Sequence, residues 1–317
     1  MQDYDVQFKN LAEEAPFEHS PVMPKMLDGD TELKFRCHRG VKCWNACCSN
    51  IDITLTPYDI VRLKNRLGLS SGEFLKQYTV PYEIDKDGTP GVKLRCVEGG
   101  TACQFMVPEG CSVYEDRPTA CRYYPVALLS VRRSDEFVDR LSFALVKENT
   151  CFGHQEPDTQ SIDQYRAAQG ATEYDEKGRG WRQLILKKKS AGPAIGKPPA
   201  ISNQLFFMVS YDIDRFRAFI VSESFNKTYD LPVETLAELL ADDEKLMEFG
   251  YAFLRQVLFN EDKVVPEREG AYEARIERLK AKAEAIRAEF EANRDALEEL
   301  KYAPPGQPGD CACNSND

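Results

Sequence analysis

The clearest alternation of apolar and polar positions begins at Leu55, in LTPYDIVRLKNRLGLSSGEFLKQYT. Ile60, Leu63 and Leu67 recur at helical spacing, Thr56 precedes Pro57 with Asp59 three positions on, and Gly68 closes the run. This pattern predicts a helix, because the threonine oxygen can take up first-turn N–H groups and glycine can close the last turn left-handed without strain. Ser70 with Glu73 repeats the device and predicts a second, shorter helix through Phe74 and Leu75.

Elsewhere the pattern changes period. Residues 91–97 and 103–114 read as short strands broken by glycine, and ALLSVRRSDEFVDRLSFALV, from Ala127, reads as a hairpin with Ser134 and Asp135 at its tip. Between them DRPTACRYYP, with Pro118 and Pro125, is a turn-rich stretch or a single helical turn. Beyond Cys151 the spacing is helical over residues 160–169, 175–189, 203–223, 232–240 and 242–259. From Glu267 to Lys301 a narrow stripe of Ile276, Leu279, Ala283, Ile286, Phe290 and Leu297 runs among alternating charges. That stripe is under four heptads long, so a solvated helix is expected rather than a dimerising coiled coil. The closing APPGQPGDCACNSND has a flexible-tail composition.

The expected fold class is therefore α+β: a small, loop-rich cysteine module with short antiparallel strands and capped helices, then a mostly helical region and a long C-terminal helix. The expected segments are an extension over 1–32, a cysteine-cluster domain over 33–155, a helical region over 156–265 packed on it, the charged helix over 266–302, and the tail over 303–317.

Composition narrows the function. With 317 residues and 42% hydrophobic content the chain can bury a core without covalent staples, and its formal charge of −11 argues against nucleic acid as a partner. No apolar run is long enough to span a membrane. The acidic start MQDYDVQFKNLAEEAPFE lacks the basic and apolar regions of a secretory signal, so a cytoplasmic location with reduced thiols is expected.

Cysteine placement changes the picture most. Eleven are present; nine fall between residues 37 and 151, and Cys311 and Cys313 lie in the tail. The spacings are Cys37-x5-Cys43-x3-Cys47-Cys48, then Cys103-x7-Cys111-x9-Cys121, then Cys151. Thiolates are ligands for zinc and iron, and loops such as CHRGVKCWNACCSN are too polar to be a buried apolar core. Adjacent Cys47 and Cys48 cannot easily chelate one tetrahedral ion together, which points to two centres, or to one centre and a second role. Cys96, alternating within GVKLRCV, reads as a buried structural thiol. Disulfides are disfavoured by chain length and compartment. A catalytic thiol is disfavoured too, since His19, His38 and His154 are the only histidines and none accompanies a nucleophile signature. Spacing does not choose between zinc and an iron–sulfur cluster. Charge leans toward a cluster, whose sulfurs could accept from the nearby Arg36, Arg39, Lys42, Arg95, Arg117 and Arg122.

FRCHRGVKCWNACCSNIDITLTPYDIVRLKNRLGLS and CQFMVPEGCSVYEDRPTACRYYP resemble the YkgJ-type cysteine-cluster family of zinc- or iron-chelating domains, over about residues 33–155. In that family a CC pair precedes an LTxxDIxRL helix and a GC-x-IY-x-x-RP-x-x-CR-x-YP segment follows. Here Gly110-Cys111, Val113-Tyr114, Arg117-Pro118, Cys121-Arg122 and Tyr124-Pro125 stand at those places. The first cysteines are more widely spaced than the compact CxxCxxCC form, and Cys151 looks like the family's last cysteine.

The resemblance extends to flagellin lysine N-methylase, regarded as an iron–sulfur protein, and so implies a [4Fe–4S] cluster, with zinc as the alternative. It implies Cys37, Cys43, Cys47, Cys48, Cys103, Cys111, Cys121 and Cys151 as metal ligands. Arg117 and Arg122 are expected to contact cluster sulfur, or tyrosine and carbonyl groups that fix the loop. A SAM-dependent methyltransferase-like enzyme is a further possibility without a supporting motif, since EGGTAC at residue 98 lacks the helix that a glycine-rich cofactor turn requires. A non-catalytic metal carrier or redox sensor, with a protein partner on the helical region, stays equally open.

Overall fold

The computed structural model describes residues 25–85, 88–131, 140–148, 151–190, 200–261 and 263–302. The expected hairpin tip at Ser134 and Asp135, and the tail with Cys311 and Cys313, lie outside these residues. In chain order the elements are β1 (Glu32–Lys34), β2 (Thr54–Leu55), α1 (Pro57–Leu67), α2 (Ser71–Tyr78), β3 (Thr79–Glu83), β4 (Pro90–Leu94), β5 (Met106–Val107), β6 (Gly110–Cys111), α3 (Thr119–Tyr123), β7 (Val126–Val131) and β8 (Arg140–Leu145). They continue with β9 (Thr159–Ser161), α4 (Ile162–Ala168), α5 (Ala171–Ser190), α6 (Ala200–Tyr211), α7 (Ile213–Ile220), α8 (Glu223–Thr228), α9 (Val233–Ala241), α10 (Asp243–Phe259) and α11 (Ala271–Tyr302). The fold is α+β. Its sheets are small and antiparallel: β1 with β9, β2–β4–β3, β5 with β6, and β7 with β8. The residues group into two compact units, one of residues up to Ser222 with Leu231–Val265, the other of Glu223–Asp230 with residues from Pro266 onward.

Both helix starts read from the sequence are present. The Thr56 oxygen accepts from Asp59 N at 3.2 Å while the Asp59 carboxylate accepts from Thr56 N at 2.7 Å, and Gly68 ends α1 at φ 66°. Ser70 and Glu73 form the same reciprocal pair at α2. The Asp59 carboxylate reaches further. Its other oxygen accepts from Thr119 N at 2.8 Å and Thr119 Oγ1 at 2.7 Å, so one fully buried side chain caps α1 and also α3, the helix that carries Cys121.

The helix expected over 203–223 is interrupted. At Asp212 the backbone leaves the helical region (φ −111°, ψ 68°), and the carboxylate accepts from Ser71 Oγ at 2.7 Å, while that hydroxyl accepts from Asp214 N at 3.0 Å. The start of α7 and the start of α2 therefore cap one another. The strand expected over 103–114 is likewise reduced to the β5–β6 hairpin and a 3-10 turn at Tyr114–Asp116.

Two apolar groups fill the first unit. Leu33, Phe35, Tyr123, Val126, Phe143, Ile162 and Tyr165 pack between β1, the β7–β8 hairpin and α4. Leu184, Phe206, Val209, Phe216, Leu246 and Phe253 are buried among α5, α6, α7 and α10. In the second unit the chain after Thr228 is tied to the chain before α11, with Arg268 N donating to Thr228 O at 2.9 Å and Asp230 N to Pro266 O at 2.9 Å.

Replacing Asp59 by Asn keeps its shape but turns one buried acceptor into a donor that faces other donors. Asp59→Asn is expected to destabilise the protein by about 2–3 kcal/mol in denaturant unfolding; an unchanged midpoint would remove the double-cap role.

Candidate metal centre

Eight cysteines from five stretches of chain line one cavity of about 200 Å³: Cys37, Cys43, Cys47, Cys48, Cys103, Cys111, Cys121 and Cys151. Cys96 does not line it, and its sulfur points at Ile51 O, 4.0 Å away. None of the described cysteines is in a disulfide.

Local structure sets each position. Cys37 follows β1, whose exit is held by Arg36 N donating to Gly153 O at 3.1 Å. That link brings Cys37 beside the Cys151 turn, where a side chain on Gly153 would lie 2.5 Å from the Phe35 ring. Cys43 accepts from Phe152 N at 3.2 Å. Cys47 and Cys48 sit in a 3-10 turn entered through Asn45, which is left-handed at φ 63° and donates to Val107 O at 3.3 Å. Side chains one residue apart in such a turn diverge by about 120°, so the adjacent pair can address different parts of the wall. Cys103 is placed by its own N–H donating to Cys48 O at 2.8 Å, Cys111 by β6, and Cys121 by α3.

The rest of the wall is largely apolar, with the aromatic rings of Phe35, Trp44, Phe105, Tyr114, Tyr124 and Tyr165 beside aliphatic Ile51, Ile53, Leu94 and Val113. Among the described lining residues Arg117 is the one cation and Glu148 the one carboxylate. Arg117 stacks 3.9 Å from the Tyr114 ring centre and donates to Tyr114 O and Gln169 Oε1, both at 2.7 Å. Arg122 does not line the cavity. It donates to Arg117 O at 3.1 Å, Gln169 O at 2.8 Å, Tyr174 Oη at 2.9 Å and also Glu115 O, so it fixes the loop through carbonyl and tyrosine groups.

The expected approach of the other basic residues to the sulfurs is not found. Arg36 pairs with Asp158 at 3.2 Å, Arg39 donates to Glu109 O at 2.6 Å, Lys42 lies 5.2 Å from the Phe152 ring centre, and Arg95 donates to Thr79 O at 2.8 Å. An acid, two distant carbonyls and an aromatic ring engage them instead, which weakens the charge argument for a cluster.

Burial sets the acidity of most of these thiols. Burial pushes Cys37 up to about 11, with Cys47, Cys43 and Cys151 adding to it. Burial likewise raises Cys103, Cys111, Cys121 and Cys151. Cys47 is the exception: a hydrogen bond with Cys48 brings it down to about 7 and drives Cys48 up. Cys48 and Cys121 both feel Cys103, whereas Cys151 is hydrogen-bonded with Cys43 and with Tyr124, whose hydroxyl also donates to Glu148 at 2.9 Å. Among the described residues no three His, Cys, Asp or Glu side chains close into a ready metal-ligating group. The sulfurs line a wall and do not converge on a point.

Residues 36–152 match the CxxCxxCC family, described as a "putative zinc- or iron-chelating domain". The limits of the match lie one residue outside Cys37 and Cys151, so the matched segment takes in every cysteine of the cavity. No curated protein and no solved structure matches the chain. Sequence patterns do not mark Trp44, Tyr124, Glu148, Tyr165 and Gln169 as parts of this site; Trp44 and Tyr124 stand inside the cysteine motifs, and the other three reach the cavity through tertiary packing.

In metal-free protein Cys47, exposed and with its pKa brought down to about 7, is expected to be alkylated before Cys48 by iodoacetamide, with a rate half-maximal near pH 7. Mass spectrometry of partly alkylated protein checks this; earlier labelling of Cys48 would contradict the proposed hydrogen-bond polarity.

Proposed function

We propose that the CxxCxxCC cavity holds iron as a [4Fe–4S] cluster, with ligands drawn from Cys37, Cys43, Cys47, Cys48, Cys103, Cys111, Cys121 and Cys151. The observation that carries the reading is one cavity of about 200 Å³ walled by eight thiols. A zinc ion with four cysteine ligands at about 2.3 Å draws its sulfurs to within about 3.8 Å of one another and leaves no space between them. This cavity is wider than such a site needs, and its thiols suffice for one cluster and a second centre. A cluster supplies one-electron redox chemistry when bound. The chain's own part is to deliver thiolates, exclude water with its aromatic wall, and fix the Cys111–Cys121 loop through Arg117 and Arg122.

The role we favour is redox sensing or metal handling in the reducing cytoplasm, where free thiols persist. Among the described residues no helix is long and apolar enough to cross a membrane. Methyl transfer is less favoured, because every described strand pairing is antiparallel, whereas a doubly wound cofactor-binding sheet is parallel.

Anaerobic purification followed by iron, acid-labile sulfide and zinc analysis tests the proposal: iron and sulfide in equal amounts are expected, and stoichiometric zinc without sulfide would overturn the cluster. Loading also has a pH sign. Thiols whose pKa values are raised hold their protons at neutral pH and must release them to a cation, so apparent affinity rises with pH, about tenfold per unit for each proton released. Cobalt(II) titrations of metal-free protein at several pH values measure it; pH-independent affinity would contradict thiolate ligation.

A further inference from the structure

Helix α11 presents an apolar seam that the other described residues of its unit leave largely open. Tyr272, Ile276, Leu279, Ala283, Ile286, Phe290 and Asn293 follow one another in alternating steps of four and three, the a/d repeat of a coiled coil. Tyr272 is 55% exposed, Leu279 57%, Ile286 56% and Phe290 70%. Counting Tyr272 and Asn293 makes the repeat more regular than the narrow stripe considered from the sequence, with every step of four and three occupied.

The flanking charges indicate what covers it. Glu273, Lys280, Arg287 and Arg294 lie along one side of the seam, and Arg275, Lys282 and Glu289 along the other. We propose that α11 pairs antiparallel with α11 of a second copy of this chain, centred between Ala283 and Ile286. In that register Lys282 faces the second copy's Glu289 and Glu273 faces its Arg294, each contact occurring twice by symmetry. Only Lys280 and Arg287 meet as like charges. Sizes match as well: Ala283 packs against Ile286, and Leu279 against Phe290.

The alternatives fit worse. A parallel, in-register pair sets Arg275 against Lys280 and Lys282 against Arg287, gains only Glu289 with Arg294, and stacks Phe290 on itself and Ala283 on itself. Asn293 meeting its own copy is the single contact that a parallel pair improves. Shifting the antiparallel pair by one heptad sets Lys280 or Arg287 against itself.

Sedimentation equilibrium of the full chain under reducing conditions tests this. A reversible dimer is expected. Lys282→Glu should raise its Kd about tenfold, Glu289→Lys should do the same, and the double exchange should restore it. In a parallel pair Lys282→Glu would meet Arg287 and tighten the dimer, so tightening overturns the proposal. Phe290→Asp should abolish the dimer while leaving helix content by circular dichroism unchanged, because Phe290 faces solvent in the single chain. A chain that stays monomeric throughout, or a dimer insensitive to Phe290→Asp, overturns it too.

Discussion

The carboxylate of Asp59 is fully buried with no cationic partner among the described residues, and its place is set by three donors: Thr56 N, Thr119 N and Thr119 Oγ1. A buried carboxylate left unsatisfied costs several kcal/mol, so wherever Asp59 goes, the starts of α1 and α3 must go with it. Burial raises its pKa and these donors pull it back. Because α1 follows the Cys47–Cys48 turn and α3 carries Cys121, the constraint brings two distant cysteine stretches to one cavity. The main-chain bonds from Cys103 to Cys48 and from Arg36 to Gly153 add the remaining stretches.

The cavity so assembled has an electrostatic requirement of its own. Eight thiols face one guanidinium, and desolvation keeps most of them neutral. Such a wall is stable as thiols and becomes a strong donor set only when a cation arrives to replace the protons. Arg122 shows how the fold avoids spending its basic side chains there: all its described bonds go to carbonyls and a tyrosine hydroxyl that fix the loop.

Much of this was legible in the sequence where causes are local. The caps of α1 and α2 depend on residues three apart, and both are present as read. The eight cavity cysteines stand out by clustering in polar loops, and the alternation around Cys96 marks it as different. What was not legible has distant causes. The break after α6 depends on Ser71, 141 residues away from Asp212, and no periodicity within 203–223 records it. Arg117 and Arg122 stand out in the sequence together, but that Arg117 alone of the two lines the cavity is decided by carbonyls and side chains that only the fold supplies.

The central claim is that thiolates of this one cavity jointly hold a single metal assembly. X-ray absorption at the iron edge of anaerobically purified protein tests it most directly. The account predicts a first shell of sulfur alone, with iron–iron scattering beyond it. A first shell containing nitrogen or oxygen, or no iron bound at all, would contradict it.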